Sequence, residues 1–156
     1  RVLLSLLLGV LMSTLHAQVR VYRGTSGYTS DVLCTLNDAK VYKKTSSYTS
    51  DILCNIKGGK IYRGMSGYQS DVICTIRDGK VYKGNSTYTS DVLMTIKDGR
   101  IYKGTSSYSS DVIASYRDGK VWTGNSSYTS DIEFHYDGLV TIEEFVAIYF
   151  AVKFLF

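Results

Sequence analysis

Histidine is nearly missing from this chain: only His16 and His135 occur in 156 residues. No Ser/His/Asp or Cys/His set can be assembled from the residues that recur, so catalysis has little support. Gly24-Thr-Ser-Gly27 also lacks the spacing of a nucleophile elbow. Excess charge is missing too. The formal net charge is +4, and the basic residues are spread evenly. That pattern reads as a solvated face and argues against nucleic acid as a partner. There is no proline, and tryptophan occurs once, at Trp122. A long apolar run is lacking as well. Val2 to Met12 is broken only by Ser5 and Gly9, well short of the roughly 20 residues that span a bilayer.

What is present is repetition. Arg77-Asp-Gly-Lys-Val-Tyr-Lys-Gly-Asn-Ser-Thr-Tyr-Thr-Ser-Asp-Val-Leu-Met-Thr-Ile96 is one 20-residue unit, and most of the chain is copies of it. An aromatic recurs at Tyr22, Tyr42, Tyr62, Tyr82, Tyr102 and Trp122. A second recurs at Tyr28, Tyr48, Tyr68, Tyr88, Tyr108 and Tyr128, and Ser-Asp recurs from Ser30-Asp31 to Ser130-Asp131. A strict period without insertions means six copies of one supersecondary unit.

The unit reads as β. Val92-Leu-Met-Thr-Ile96 and Lys80-Val-Tyr-Lys83 are short runs of β-branched, aromatic and alternating residues. Between such runs stands Asp-Gly, as at Asp78-Gly79, which fits a two-residue type I′ turn. Cys74 to Arg77 is therefore expected to pair with Lys80 to Lys83. Gly58-Gly59 and Asp38-Ala39 hold the same place, and Ala39 is the weak copy because alanine disfavours positive φ. The other connector, Gly84 to Ser90, is longer and polar. Its Ser and the following Asp are expected to bond backbone amides.

Three regions follow. Residues 1–17 read as a secretory signal peptide, with cleavage expected before Gln18 and the true start expected upstream of Arg1. A membrane anchor is the competing reading. Residues 18–138 hold the six repeats. Five hairpins are complete, with one strand left over at each end. Pairing those two strands would close a ring and remove the free edges; an open solenoid would leave them exposed. Residues 139–156 form an apolar C-terminal helix in the same domain. Thr141 and Glu144 have capping-box spacing, and after Glu144 only Lys153 is charged. Fifteen helical residues reach about 22 Å, short of a bilayer core of about 30 Å. Burial at one end or in the centre of the ring is expected, with packing into a second molecule as the alternative.

Comparing copies weighs the candidate sites. Cys34, Cys54 and Cys74 correspond to Met94, Ala114 and Phe134, which suits packing rather than metal binding; a disulfide between neighbouring units stays open. The six aspartates from Asp31 to Asp131 stand singly, without the clustered oxygens calcium wants, and read as turn caps. Asp137 to Phe145 resembles half of an EF-hand loop. However, Glu133 and His135 fall where Asp or Asn belongs, so it reads as a turn followed by a helix cap. Asn85-Ser-Thr87 and Asn125-Ser-Ser127 are formal glycosylation sequons. The strand aromatics should face away from Val21, Val41 and their equivalents. The connector tyrosines, Tyr28, Tyr48, Tyr68, Tyr88, Tyr108 and Tyr128, are the candidate ligand-binding residues, exposed or laid over a neighbouring unit. No metal and no cofactor is expected.

Units of the form Asp-Gly-Lys-Val-Tyr-x-Gly, closed by an apolar helix, resemble the bacterial β-flower proteins with their four- or five-fold β-flower domains. The resemblance covers about residues 19–156. It implies a pseudo-symmetric assembly of hairpins and carries over no chemistry, and the six-fold count departs from those names. A second resemblance, to choline- or glucan-binding repeats, lacks their Trp-rich pattern. The expected fold is an all-β repeat: a closed ring of six β-hairpin units around or beside one buried helix. The expected function is an exported, periplasmic or extracellular, non-enzymatic structural or interaction module. A glycan- or cell-wall-binding module using the connector tyrosines is the alternative. The partner is expected to be a glycan or another protein.

Overall fold

A computed structural model describes residues 17–156. The signal-peptide reading falls on residues 1–17 and so lies almost wholly outside the described residues. Twelve strands follow in order: β1 (Val19–Arg23), β2 (Val32–Asn37), β3 (Lys40–Lys43), β4 (Ile52–Lys57), β5 (Lys60–Arg63), β6 (Val72–Arg77), β7 (Lys80–Lys83), β8 (Val92–Lys97), β9 (Arg100–Lys103), β10 (Val112–Arg117), β11 (Lys120–Thr123) and β12 (Ile132–Tyr136). One helix, α1 (Ile142–Phe154), ends the chain.

The strands form a closed antiparallel barrel in which β1 pairs with β12. Closure leaves no sheet edge free, as the unpaired terminal strands required. Within each hairpin the register is the one the Asp-Gly turn sets: Cys74 opposes Lys83, and Arg77 opposes Lys80. Asp78 and Gly79 have φ of 52° and 71°, as a type I′ turn needs. A Cβ at Gly119 would lie 2.6 Å from the Tyr136 carbonyl oxygen, so that turn admits only glycine. Between hairpins the ladder skips one residue. Tyr22 opposes Val32 while Val21 opposes Cys34, leaving Leu33 unmatched. The same skip recurs at Leu53, Ile73, Ile113 and Glu133. These bulges bend each strand and help close the sheet.

Among the inward rings that line the lumen, two are buried throughout. Val21, Val41, Ile61, Val81, Ile101 and Val121 form one, all at 0% exposure. Cys34, Cys54, Cys74, Met94, Ala114 and Phe134 form the other. Side chains alone fill a barrel of about eight strands; a wider one needs an occupant. That occupant is α1. Phe145 to Ala151 are buried without a break, so every face of the helix meets the wall. The helix therefore sits in the centre of the ring, the second of the two expected places. It starts at the end of the barrel carrying the Asp-Gly turns. Its entry is fixed by a complete capping box: Glu144 N–H donates to Thr141 Oγ1 at 3.2 Å, and Thr141 N–H donates to Glu144 Oε2 at 2.9 Å.

The helix lies off the axis, nearest β2, β3, β4 and β5. On that wall stand the small residues Cys34 and Cys54, and Cys54 Sγ comes within 4.0 Å of the Ala147 carbonyl oxygen. The far wall fills the remaining space with rings. Tyr116 and Phe145 have centroids 4.4 Å apart, and Phe134 and Tyr149 6.4 Å. Ala114 is the small exception on that side. The column Cys, Cys, Cys, Met, Ala, Phe packs the core.

Candidate functional site

Every connector runs from the end of one hairpin to the start of the next, so all six gather at the end of the barrel opposite the Asp-Gly turns. Each is built alike. In the first, Ser26 Oγ donates to Asp31 Oδ2 at 2.5 Å and accepts from Tyr28 N–H at 3.2 Å. Asp31 N–H donates to the Tyr28 carbonyl at 3.0 Å, closing a one-turn 3₁₀ helix over Thr29–Asp31. The Ser-to-Asp bond recurs at Ser46, Ser66, Ser86, Ser106 and Ser126. Here the structure corrects the sequence expectation. The serine does take the local amide, but the Asp carboxylate accepts from the serine hydroxyl and not from a backbone amide. The six aspartates are committed to turn geometry.

These turns hold the tyrosines outward. Tyr28, Tyr48, Tyr68, Tyr88, Tyr108 and Tyr128 are 74 to 76% exposed and form a ring of six free aromatics. They are not laid over neighbouring units. The strand aromatics differ. They stand on the outer wall, opposite the lumen-facing valines, yet Tyr62, Tyr82, Tyr102 and Trp122 are 7 to 8% exposed. Arg77 covers the ring of Tyr82, Arg117 that of Trp122, and His135 stacks on Tyr22. Of the two tyrosine columns, only the connector column is free to meet a partner.

The connectors are tied to the wall by a second recurring bond. Thr75 Oγ1 donates to the Gly84 carbonyl at 2.8 Å, and Thr35, Asn55, Thr95 and Ser115 do the same nine residues ahead. In the last copy His135 takes this place, and Nδ1 donates to the carbonyl of Gly24, 2.7 Å away across the closure. A single histidine in a repeat lattice is thereby explained as a hydrogen-bonding wall residue.

A family model described as 6-fold beta flower protein matches residues 21–149. The chain belongs to the 6-fold beta flower protein family. No curated protein and no solved structure matches it significantly. The six-fold symmetry that set the chain apart from the four- and five-fold names is thus the family's own.

In this 6-fold beta flower the remaining reactive groups are occupied or enclosed. Cys34, Cys54 and Cys74 are free thiols, all buried in the lumen wall, so no disulfide joins neighbouring units. Burial pushes the thiols of Cys54 and Cys74 up to about 12, and that of Cys34 higher still. Burial, and then the Glu133 carboxylate, pushes the Tyr149 phenol up to about 12. In the stretch resembling half an EF-hand, Asp137 Oδ1 accepts from the Arg20 amide at 2.6 Å, and Glu144 caps α1. No group of three His, Cys, Asp or Glu residues with metal-binding geometry occurs among the described residues. No helix among them is long and apolar enough to cross a membrane.

Proposed function

We propose that this 6-fold beta flower is an exported, non-enzymatic interaction module that meets its partner through the ring of connector tyrosines. One observation carries the reading: six large aromatics, three-quarters exposed, are each held outward by the same Ser–Asp turn. Hydrophobic burial does not account for them, since the lumen and outer wall fill without them. Aromatic rings offer broad contact area at small entropic cost, and exposed clusters of them mark interaction surfaces. Export is supported by the apolar run ahead of residue 18.

The second reading names the partner as a glycan or cell-wall polymer. It is favoured by the neighbours of each ring. Tyr88 stands between Thr87 and Thr89, and Tyr108 between Ser107 and Ser109, all exposed. A ring flanked by hydroxyls suits a sugar, which presents C–H faces and hydroxyl edges together. A glycan and polysaccharide array tests it, with Tyr88→Ala and Tyr108→Ala as controls. Binding that weakens in both variants supports the polymer. No binding to any polymer removes this reading and leaves a protein partner.

A further inference from the structure

One outer groove of the barrel differs from the other five in carrying two guanidiniums beside a tryptophan. Between β9, β10 and β11 lies a cleft of about 320 Å³ lined by Arg100, Arg117, Trp122, Asn125 and Ser126, among others. Two of its residues depart from the common residue of their columns. Trp122 replaces the tyrosine of the other copies, and Arg100 replaces the lysine found at Lys40, Lys60, Lys80 and Lys120. Arg100 and Arg117 together give this groove two guanidiniums. The equivalent pairs elsewhere are Lys40 with Lys57, Lys60 with Arg77, Lys80 with Lys97, Lys120 with Asp137 and Arg20 with Asn37.

The cleft is also organised. Arg100 Nε donates to Asn125 Oδ1 at 3.0 Å, which leaves the outer edge of its guanidinium for a ligand. The Arg117 guanidinium lies 5.6 Å from the centre of the Trp122 ring and also stands 3.9 Å from the exposed Asp118 carboxylate. Trp122 is 7% exposed, and its Nε1 is the one buried side-chain donor without a partner among the described residues. Asp98 is the single carboxylate on the lining, against two guanidiniums.

We propose that this groove binds a carboxylate carried on a hydroxylated small molecule, a uronic-acid type of sugar. The carboxylate lies against the Arg100 and Arg117 forks, whose planar geometry matches it in a way lysine does not. The Trp122 ring forms the aromatic wall of the groove. Asn125 and Ser127 meet the hydroxyls of the ligand. The site is distinct from the connector tyrosines and stands or falls without them.

Trp122 is the only tryptophan, so its emission, excited at the red edge beyond tyrosine absorption, reports on the surroundings of this ring. The experiment titrates the protein with D-glucuronate, D-glucose and inorganic phosphate, with calorimetry as the second readout. D-glucuronate is expected to give a saturable change. D-glucose and phosphate are expected to bind at least about tenfold more weakly, since each lacks half of the recognised chemistry. Arg100→Gln should weaken D-glucuronate about tenfold, the loss of one charge-assisted contact. Arg77→Gln, which alters the otherwise similar groove of Lys60, Tyr82 and Asn85, should change nothing. The proposal is overturned by the absence of a saturable response, by phosphate binding as tightly as D-glucuronate, or by equal losses in Arg77→Gln and Arg100→Gln.

Discussion

Lys153 Nζ donates to Glu133 Oε2 at 2.5 Å, joining the last turn of the helix to the strand that closes the barrel. Both residues are exceptions. Lys153 is the only charge on α1 beyond its first turn. Glu133 occupies the bulge position filled by Leu33, Leu53, Ile73, Leu93 and Ile113 in the other copies. The sixth unit thus gives up an apolar rim residue to anchor the helix, and Thr123 Oγ1 holds the other oxygen of Glu133 at 2.9 Å. The pair is a fifth to a third exposed, so its coupling should be modest, about 0.5–1 kcal/mol. A double-mutant cycle on Glu133→Gln and Lys153→Met, read by urea unfolding, should recover that coupling. Strictly additive losses would show the contact to be passive.

His135 adds a side-chain bond across the closure of the barrel. Its bond to the Gly24 carbonyl occupies the place that Thr35, Thr75 and Thr95 hold elsewhere. His135→Val should destabilise the barrel by about 1–2 kcal/mol, because it leaves a partly buried carbonyl unpaired. His135→Thr should restore most of that loss. Urea unfolding separates the two; equal losses would mean that ring stacking on Tyr22 matters and the hydrogen bond does not.

One copy departs from glycine at two positions where the backbone is left-handed. Ala39 has φ of 55° and Lys44 φ of 51°, where the other units place glycine. Such a residue is strained by roughly 1 kcal/mol. Ala39→Gly and Lys44→Gly should each raise stability by up to about that amount, and the pair should add, giving several degrees in melting temperature. No gain would mean that neighbouring contacts already relieve the strain.

Much of this architecture is legible in the sequence, for a physical reason. A strict period fixes both register and turn, so Asp78-Gly79 determines where Cys74 and Lys83 meet, and the unpaired Val19–Arg23 and Ile132–Tyr136 determine closure. The capping box at Thr141 is equally local. The helix could be recognised as buried, but whether it lay at one end or in the centre depends on the width of the lumen, which no single unit encodes. The same holds for the covering of the strand aromatics by Arg77, Arg117 and His135, which come from the facing strand. The groove at Trp122 was missed although its signal was present. Trp122 and Arg100 break their columns, and breaks are easily read as drift when the repeat itself holds attention.

The buried thiols set an alkaline limit. In the unfolded chain cysteine titrates near 9.0, while in the barrel Cys54 and Cys74 are pushed up to about 12. The folded form therefore retains protons that the unfolded form has lost. The stabilisation is fully present below pH 9 and is lost as the pH rises from there through about 12. Tyr149 adds in the same sense, from 10.0 to about 12. Stability measured between pH 8 and 11 should fall, and a Cys54→Ala, Cys74→Ala chain should fall less steeply. Equal slopes would place the alkaline loss elsewhere.

The connector tyrosines are held to serve recognition and not folding. Equilibrium unfolding of a chain with all six changed to serine, Tyr28, Tyr48, Tyr68, Tyr88, Tyr108 and Tyr128 together, tests this most directly. Stability within about 1 kcal/mol of the parent is predicted, because surface substitutions of this kind change little. A loss of several kcal/mol would show that the ring of tyrosines holds the barrel together, and would contradict its assignment as a free contact surface.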